Sequence, residues 1–153
     1  MPPCNIHGTA VLLGDRGVLV TGPSGAGKTA LALALVSRFS AQGLFCRLVG
    51  DDQLFVAGHD ARLVCRAPGT IAGLAEVYGI GPQKLAFEPA AVIDLVVRLV
   101  PAAGMHRFQE DATETIAGCV VPRLDLPARD AFSALPAVAA RLGLPPFGKT
   151  EAF

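Results

Sequence analysis

The chain has 153 residues, 52% of them hydrophobic, and its 13 basic side chains balance 13 acidic ones. That length suits one domain, which buries roughly two-thirds of its unfolded surface and needs no staples. A general nucleic-acid binder would carry a basic excess, and no apolar run approaches the roughly 18 residues of a membrane helix. The longest run, Val92 to Val100, contains Asp94 and Arg98.

In chain order, Met-Pro-Pro-Cys-Asn at the start has no basic segment followed by an apolar one, so no secretory signal is read there. Ile6 to Leu13 reads as a strand, Gly14 to Gly17 as a turn, and Val18 to Thr21 as a second, buried strand. Two strands around a short glycine-containing turn predict a hairpin. Next comes Gly22-Pro-Ser-Gly-Ala-Gly-Lys-Thr29, the phosphate-loop pattern G-x-x-x-x-G-K-[ST]. Ala30 and the residues after it are good helix formers, so the pattern sits between a strand and a helix, as its chemistry requires. Glycines let the backbone curl until several N–H groups aim at one anion, and the helix start adds partial positive charge. Gly22, Pro23, Ser24, Gly25, Ala26, Gly27, Lys28 and Thr29 are therefore the candidate nucleotide-binding residues. Lys28 is placed for the β- and γ-phosphates and the Thr29 hydroxyl for Mg²⁺. His7 falls at the end of its strand opposite the turn, which is the end that meets the loop.

The helix is expected over residues 27–42, stopped by Gly43, with a strand over Leu44 to Val49. That strand ends in Asp51 and Asp52, an acidic pair at the ligand-binding end of an open α/β sheet. There, one carboxylate could hold Mg²⁺ through water and the other could accept a proton from a nucleophile; a helix cap or solvated turn is the plain alternative. Gln53 to Ala57 and Ala61 to Cys65 read as a hairpin around Gly58-His-Asp60. Thr70 is expected to cap a short helix, Ile71 to Val77, bearing Glu76, followed by a loop over 78–82. Ala91 to Val100 is the longest strand, Pro101 to Glu114 is loop-like, and Thr115 to Val121 and Arg123 to Leu126 are short strands broken by Pro122. Asp130 to Leu142 is helical in composition, with Pro136 ending one segment and starting another. The tail, 145–153, is expected to fray. Cys4, Cys46, Cys65 and Cys119 are widely spaced with no C-x-x-C pair, which favours reduced cytosolic thiols over disulfides or a zinc site.

Several of these residues together carry a resemblance. His7-Gly8, the loop, Val49-Gly-Asp-Asp52, Ala75-Glu76-Val-Tyr-Gly-Ile-Gly81 and Val121-Pro-Arg-Leu-Asp-Leu-Pro-Ala-Arg129 occur in the order found in the catalytic domain of HPr kinase/phosphorylase. Residues 6–130 resemble that family. The resemblance implies an α/β phosphate-loop kinase with a mixed β-sheet, of the phosphoenolpyruvate carboxykinase-like type. It implies one domain over 1–153, a short form without the family's extra N-terminal domain. It implies a cytoplasmic enzyme that uses ATP and Mg²⁺ to phosphorylate a serine of the phosphocarrier protein HPr, with no role for nucleic acid or membrane. By position, His7 matches the active-site histidine, Lys28 the loop lysine and Asp52 the proton acceptor. Thr29 and Glu76 match the Mg²⁺ positions, and Asp51, beside Asp52, joins the candidate metal set.

Two departures bear on the reverse reaction, phosphate attack on phosphoserine. Tyr78 stands where the family's second motif has arginine, and Pro82 to Pro89 replaces a longer arginine-bearing loop, with Lys84 as a weak stand-in. The family forms hexamers, which leaves homo-oligomerisation open for this chain. A small-molecule kinase on the same scaffold and a nucleotide-binding regulator without transfer activity are the other two readings.

Overall fold

The computed structural model describes residues 3–103 and 105–148. Its elements in chain order are β1 (Cys4–His7), β2 (Thr9–Leu13), β3 (Arg16–Thr21), α1 (Lys28–Ala41), β4 (Cys46–Gly50), β5 (Gln53–His59) and β6 (Arg62–Arg66). After a 3-10 turn at Gly69–Ile71 come β7 (Leu74–Val77), β8 (Gly81–Lys84), β9 (Ala90–Val100), β10 (Ala112–Ile116), β11 (Cys119–Pro127) and α2 (Ala131–Leu142). The main sheet is mixed, with neighbours in the order β1-β5-β6-β9-β3-β2-β4. β3 and β9 run parallel, and β11 runs parallel to β9 along the edge that β6 leaves free. β10 pairs antiparallel with β11, and β7 and β8 form a separate hairpin.

Central strands covered on both faces should be apolar throughout. Val18, Leu19 and Val20 of β3 and Leu95, Val96 and Val97 of β9 are all buried. Alternation then divides them between two cores. Val18, Val20, Leu95, Val97 and Leu99 meet the helices, where Leu31, Ala32, Leu35 and Phe39 of α1 supply buried residues at helical spacing. Each large side chain so buried contributes about 1.5–3 kcal/mol. Leu19 and Val96 face the other way, into a core with Leu54, Val56, Leu63, Cys65, Cys119 and Val121. The result is an α/β protein with the helices and the β7–β8 hairpin on one side of the sheet, and a second core on the other side built by the sheet's own strands.

The loop strand, the loop and α1 fall where the pattern put them, and so does the hairpin β5–β6. Several expectations are corrected. Residues 6–13 are not one strand: the chain breaks at Gly8, and β1 leaves β3 to pair with β5. A Cβ at Gly8 would stand 2.9 Å from the Val20 carbonyl oxygen, so only glycine passes this close to β3. Residues 74–77 are a strand, not the end of a helix, because Gly73 takes φ +74° and β8 pairs alongside. β8 starts within the expected 78–82 loop and runs into the 82–89 segment, and β10 begins within the expected 101–114 loop. Pro136 lies inside one continuous α2 instead of dividing two segments. Pro122 does not break β11; it sits just before the point where β11 begins to pair with β9 at Arg123. Of the tail, residues 149–153 lie outside the described residues.

Burial pushes the Cys65 thiol up to about 12. Its stabilising effect is complete below the unfolded thiol pKa and is lost as pH rises through the folded one, because the unfolded chain sheds the proton first. Unfolding free energy should therefore fall between about pH 8.5 and 12. The slope should exceed that of Cys65→Ala by up to about 1.4 kcal/mol per pH unit. Denaturant titrations across this range test it, and parallel slopes would refute it.

Candidate functional site

β3 ends at Thr21 and the loop follows, with α1 starting at Lys28. Gly27, the residue before α1, holds φ +92°, a left-handed value that L side chains avoid. Lys28 is 8% exposed, and its ammonium donates to the carbonyls of Gly22 at 2.9 Å and Pro23 at 3.1 Å. Two of its three donors thus lie on the loop's first residues, which keeps a cation over the curled backbone.

Asp51 joins the site together. It follows β4, which runs in the same direction as β3 because each is antiparallel to the intervening β2. Its side chain is 6% exposed, and a buried carboxylate needs partners. Oδ1 accepts the Thr29 and Thr9 hydroxyls, both at 2.8 Å, and Oδ2 accepts the Glu76 amide at 2.9 Å. These donors come from α1, β2 and β7. Glu76 is held there because residues 86–88, after β8, run beside β4: Leu48 donates to Ala86 and accepts from Glu88. The Glu76 side chain is exposed.

Asp52 takes the left-handed conformation, φ +73°, which separates its side chain from that of Asp51. Its Oδ1 lies 2.6 Å from His7 Nε2, in a pair roughly half open to solvent (His7 47% and Asp52 68% exposed). The Gly8 amide donates to the Asp52 carbonyl at 3.0 Å. His7 reaches the site from β1, not from a direct partner of β3. The two adjacent aspartates therefore stand in different settings. One is buried and bonded to the loop threonine; the other is accessible and paired to a histidine.

Thr9 joins the site without having been singled out in the sequence, and Arg129, quoted only as the end of the Val121–Arg129 motif, joins it with no role assigned beforehand. Arg129 sits between β11 and α2 with φ +58°, donates its Nε to the Gly25 carbonyl at 2.8 Å and its amide to the Ala26 carbonyl at 2.8 Å. Asp130 then caps α2 through the Ser133 amide. A segment more than a hundred residues further on therefore grips the middle of the loop.

Thr29 and Asp51 offer adjacent hard oxygens of the kind Mg²⁺ takes. Among the described residues no group of three or more His, Cys, Asp or Glu converges.

Fold and cluster together define a phosphate-loop protein of the α/β kinase type. The chain belongs to the HPr Serine kinase C-terminal domain family, which matches residues 2–140. It is 34% identical over 140 residues to the HPr kinase/phosphorylase of Limosilactobacillus reuteri, covering 84% of this chain and 42% of that protein. The HPr kinase/phosphorylase of Lactobacillus acidophilus is 35% identical over 138 residues, covering 82% and 41%. The chain thus spans about two-fifths of the length of these relatives. The solved Hpr(Ser) kinase/phosphatase of Coxiella burnetii superposes with a TM-score of 0.77 at 25% identity, covering 91% of this chain and 96% of that one.

The Arg129 grip has a measurable consequence. Arg129→Ala should weaken nucleotide binding about threefold to tenfold, the scale of one net hydrogen bond of about 1 kcal/mol. Calorimetric titration with ADP measures this; parental affinity in the variant would show that the loop holds its form without the grip.

Proposed function

We propose that this chain is the catalytic domain of a cytoplasmic protein kinase that transfers the γ-phosphoryl group of ATP to a serine of HPr. The observation that carries this reading is the division between the two aspartates: Asp51 bonded to the loop threonine, Asp52 exposed and paired with His7. The family and the names of its relatives supply the acceptor.

In this reading the loop amides and Lys28 bind the triphosphate and oppose the charge that develops on its oxygens. Thr29 and Asp51, with Glu76 nearby, are the residues that would hold Mg²⁺, which adds charge neutralisation at the β- and γ-phosphates when bound. Asp52 takes the proton from the seryl hydroxyl as that oxygen attacks the γ-phosphorus and ADP departs. His7 engages one Asp52 oxygen and so orients the carboxylate, leaving the other for the serine. A serine hydroxyl is a poor nucleophile until its proton is accepted, and a positioned base contributes about 10²–10⁴ in rate. The forward reaction alone is proposed. Tyr78, fully exposed at the β7–β8 turn, stands where the resemblance implies an arginine for the reverse one.

Lys28→Ala should weaken ATP binding and abolish transfer, because the triphosphate loses its buried cationic partner. Wild-type-like phosphorylation by that variant would exclude the loop from the chemistry.

The two aspartates separate base from metal partner. Asp52→Asn keeps the shape but removes the proton acceptor, so single-turnover transfer to HPr should fall by about 10² or more, while calorimetric ATP affinity holds or rises. Asp51→Asn should chiefly raise the Mg²⁺ requirement. If Asp52→Asn transfers phosphate at the parental rate, the base lies elsewhere.

A further inference from the structure

Thr9 is a fully buried polar residue, 0% exposed, at the start of β2. Thr9 pairs with Val20 of β3, and β2 also pairs with β4 from Ala10 onward, so the backbone that carries the hydroxyl is held on the sheet. The hydroxyl donates to Asp51 Oδ1 at 2.8 Å, the same oxygen that accepts the Thr29 hydroxyl at 2.8 Å.

A carboxylate oxygen presents about two lone-pair positions. With Thr9 on one of those of Oδ1, Thr29 takes the other, and the Glu76 amide occupies one position of Oδ2. Both carboxylate oxygens are then anchored, and the carboxylate plane cannot turn, although its terminal torsion is intrinsically soft. The consequence reaches Thr29. Its proton is committed to Asp51, so the lone pairs of its oxygen are what remain to face outward. A hydroxyl held this way behaves as an oxygen ligand and not as a donor.

The segment from His7 to Thr9 contacts both aspartates. The His7 ring meets the Asp52 carboxylate, the Gly8 amide the Asp52 carbonyl, and the Thr9 hydroxyl the Asp51 carboxylate. One extended stretch, broken by a glycine that has no room for a side chain, therefore sets the orientation of both acidic groups.

We propose that Thr9 is a positioning residue for the metal–nucleotide site, acting through Asp51 to hold the Thr29 hydroxyl as an oxygen ligand for Mg²⁺. This rests on the kinase reading above and adds a residue to it. Removing the Thr9 hydroxyl leaves Asp51 free to turn, and Thr29 loses its fixed acceptor. Nucleotide held by the loop amides and Lys28 alone is not affected. Partners that orient a ligand in this way typically account for about 10- to 100-fold in metal affinity.

The test compares Thr9→Ala with Thr9→Ser. Both delete the methyl group, and they differ only in the hydroxyl. ADP affinity is measured by calorimetry in the presence of a chelator and then across a Mg²⁺ titration; no acceptor protein and no turnover are needed. In Thr9→Ala the Mg²⁺ midpoint should rise about 10- to 100-fold, with chelator-condition affinity unchanged, and Thr9→Ser should restore the parental midpoint. Should Thr9→Ala fail to fold, Thr9→Val keeps the shape without the hydroxyl and takes its place. Equal midpoints for the Ala and Ser variants, or an equal loss of affinity with and without Mg²⁺, would overturn the role of Thr9 while leaving the kinase reading standing. A parental protein whose ADP binding ignores Mg²⁺ would overturn both.

Discussion

A carboxylate taken out of water must collect donors or cost several kcal/mol. Asp51 collects three, and each comes from a different part of the chain: the loop helix through Thr29, the sheet through Thr9, and the β7–β8 hairpin through Glu76. Satisfying that one group brings the phosphate loop, the strand bearing Thr9 and the hairpin bearing Glu76 to one end of the sheet. Asp52 depends on the same arrangement. Because Asp51 is turned inward and bonded, its neighbour must turn out, and the left-handed backbone at Asp52 provides the turn. The two chemical roles proposed for adjacent, identical side chains follow from that difference in setting, as environment and not residue type decides what a carboxyl group does.

The remainder of the fold serves to keep this end rigid. β3 and β9 bury apolar side chains on both faces and sit between two cores. The loop that leaves β3 is anchored from within by the buried face of α1 and from outside by Arg129. Arg98 and Asp125 pair at the same strand ends, Arg98 Nε and an Nη donating to the two carboxylate oxygens at 3.1 and 2.6 Å. Arg123 Nε lies 3.1 Å from the same Asp125 but makes no hydrogen bond, so it contributes charge without direction. Catalytic groups on strand ends braced in this way can be held more closely than groups on free loops.

What was legible in the sequence is what depends on local geometry. The phosphate loop must be read within eight residues, and its glycines, lysine and threonine announce it. The Asp51–Asp52 pair was legible because it ends an apolar strand. β7 was not, since Leu74 to Val77 has no periodicity that separates helix from strand; the left-handed Gly73 and the pairing with β8 decide it. β10 alternates half-buried and exposed residues in a polar stretch; the sequence marked only its end, Thr115 and Ile116, as strand and ran it on into β11 across the left-handed turn at Ala117 and Gly118. Thr9 was silent for a different reason, and so was the role of Arg129, which the sequence showed only as the end of the Val121–Arg129 motif. Their partners lie 42 and 104 positions away, so no spacing could point to them. The family resemblance filled part of this gap, giving roles to His7 and Glu76 that composition alone does not supply.

The measurement that bears most directly on the function is the fate of labelled phosphate. The purified chain is incubated with γ-labelled ATP, Mg²⁺ and HPr, and the product is digested and mapped by mass spectrometry. Stoichiometric label on a single HPr serine, dependent on Mg²⁺ and lost when Asp52 is replaced by asparagine, is the expected result. Nucleotide binding without any label reaching HPr would contradict it and leave a phosphate-loop protein that binds nucleotide for another purpose.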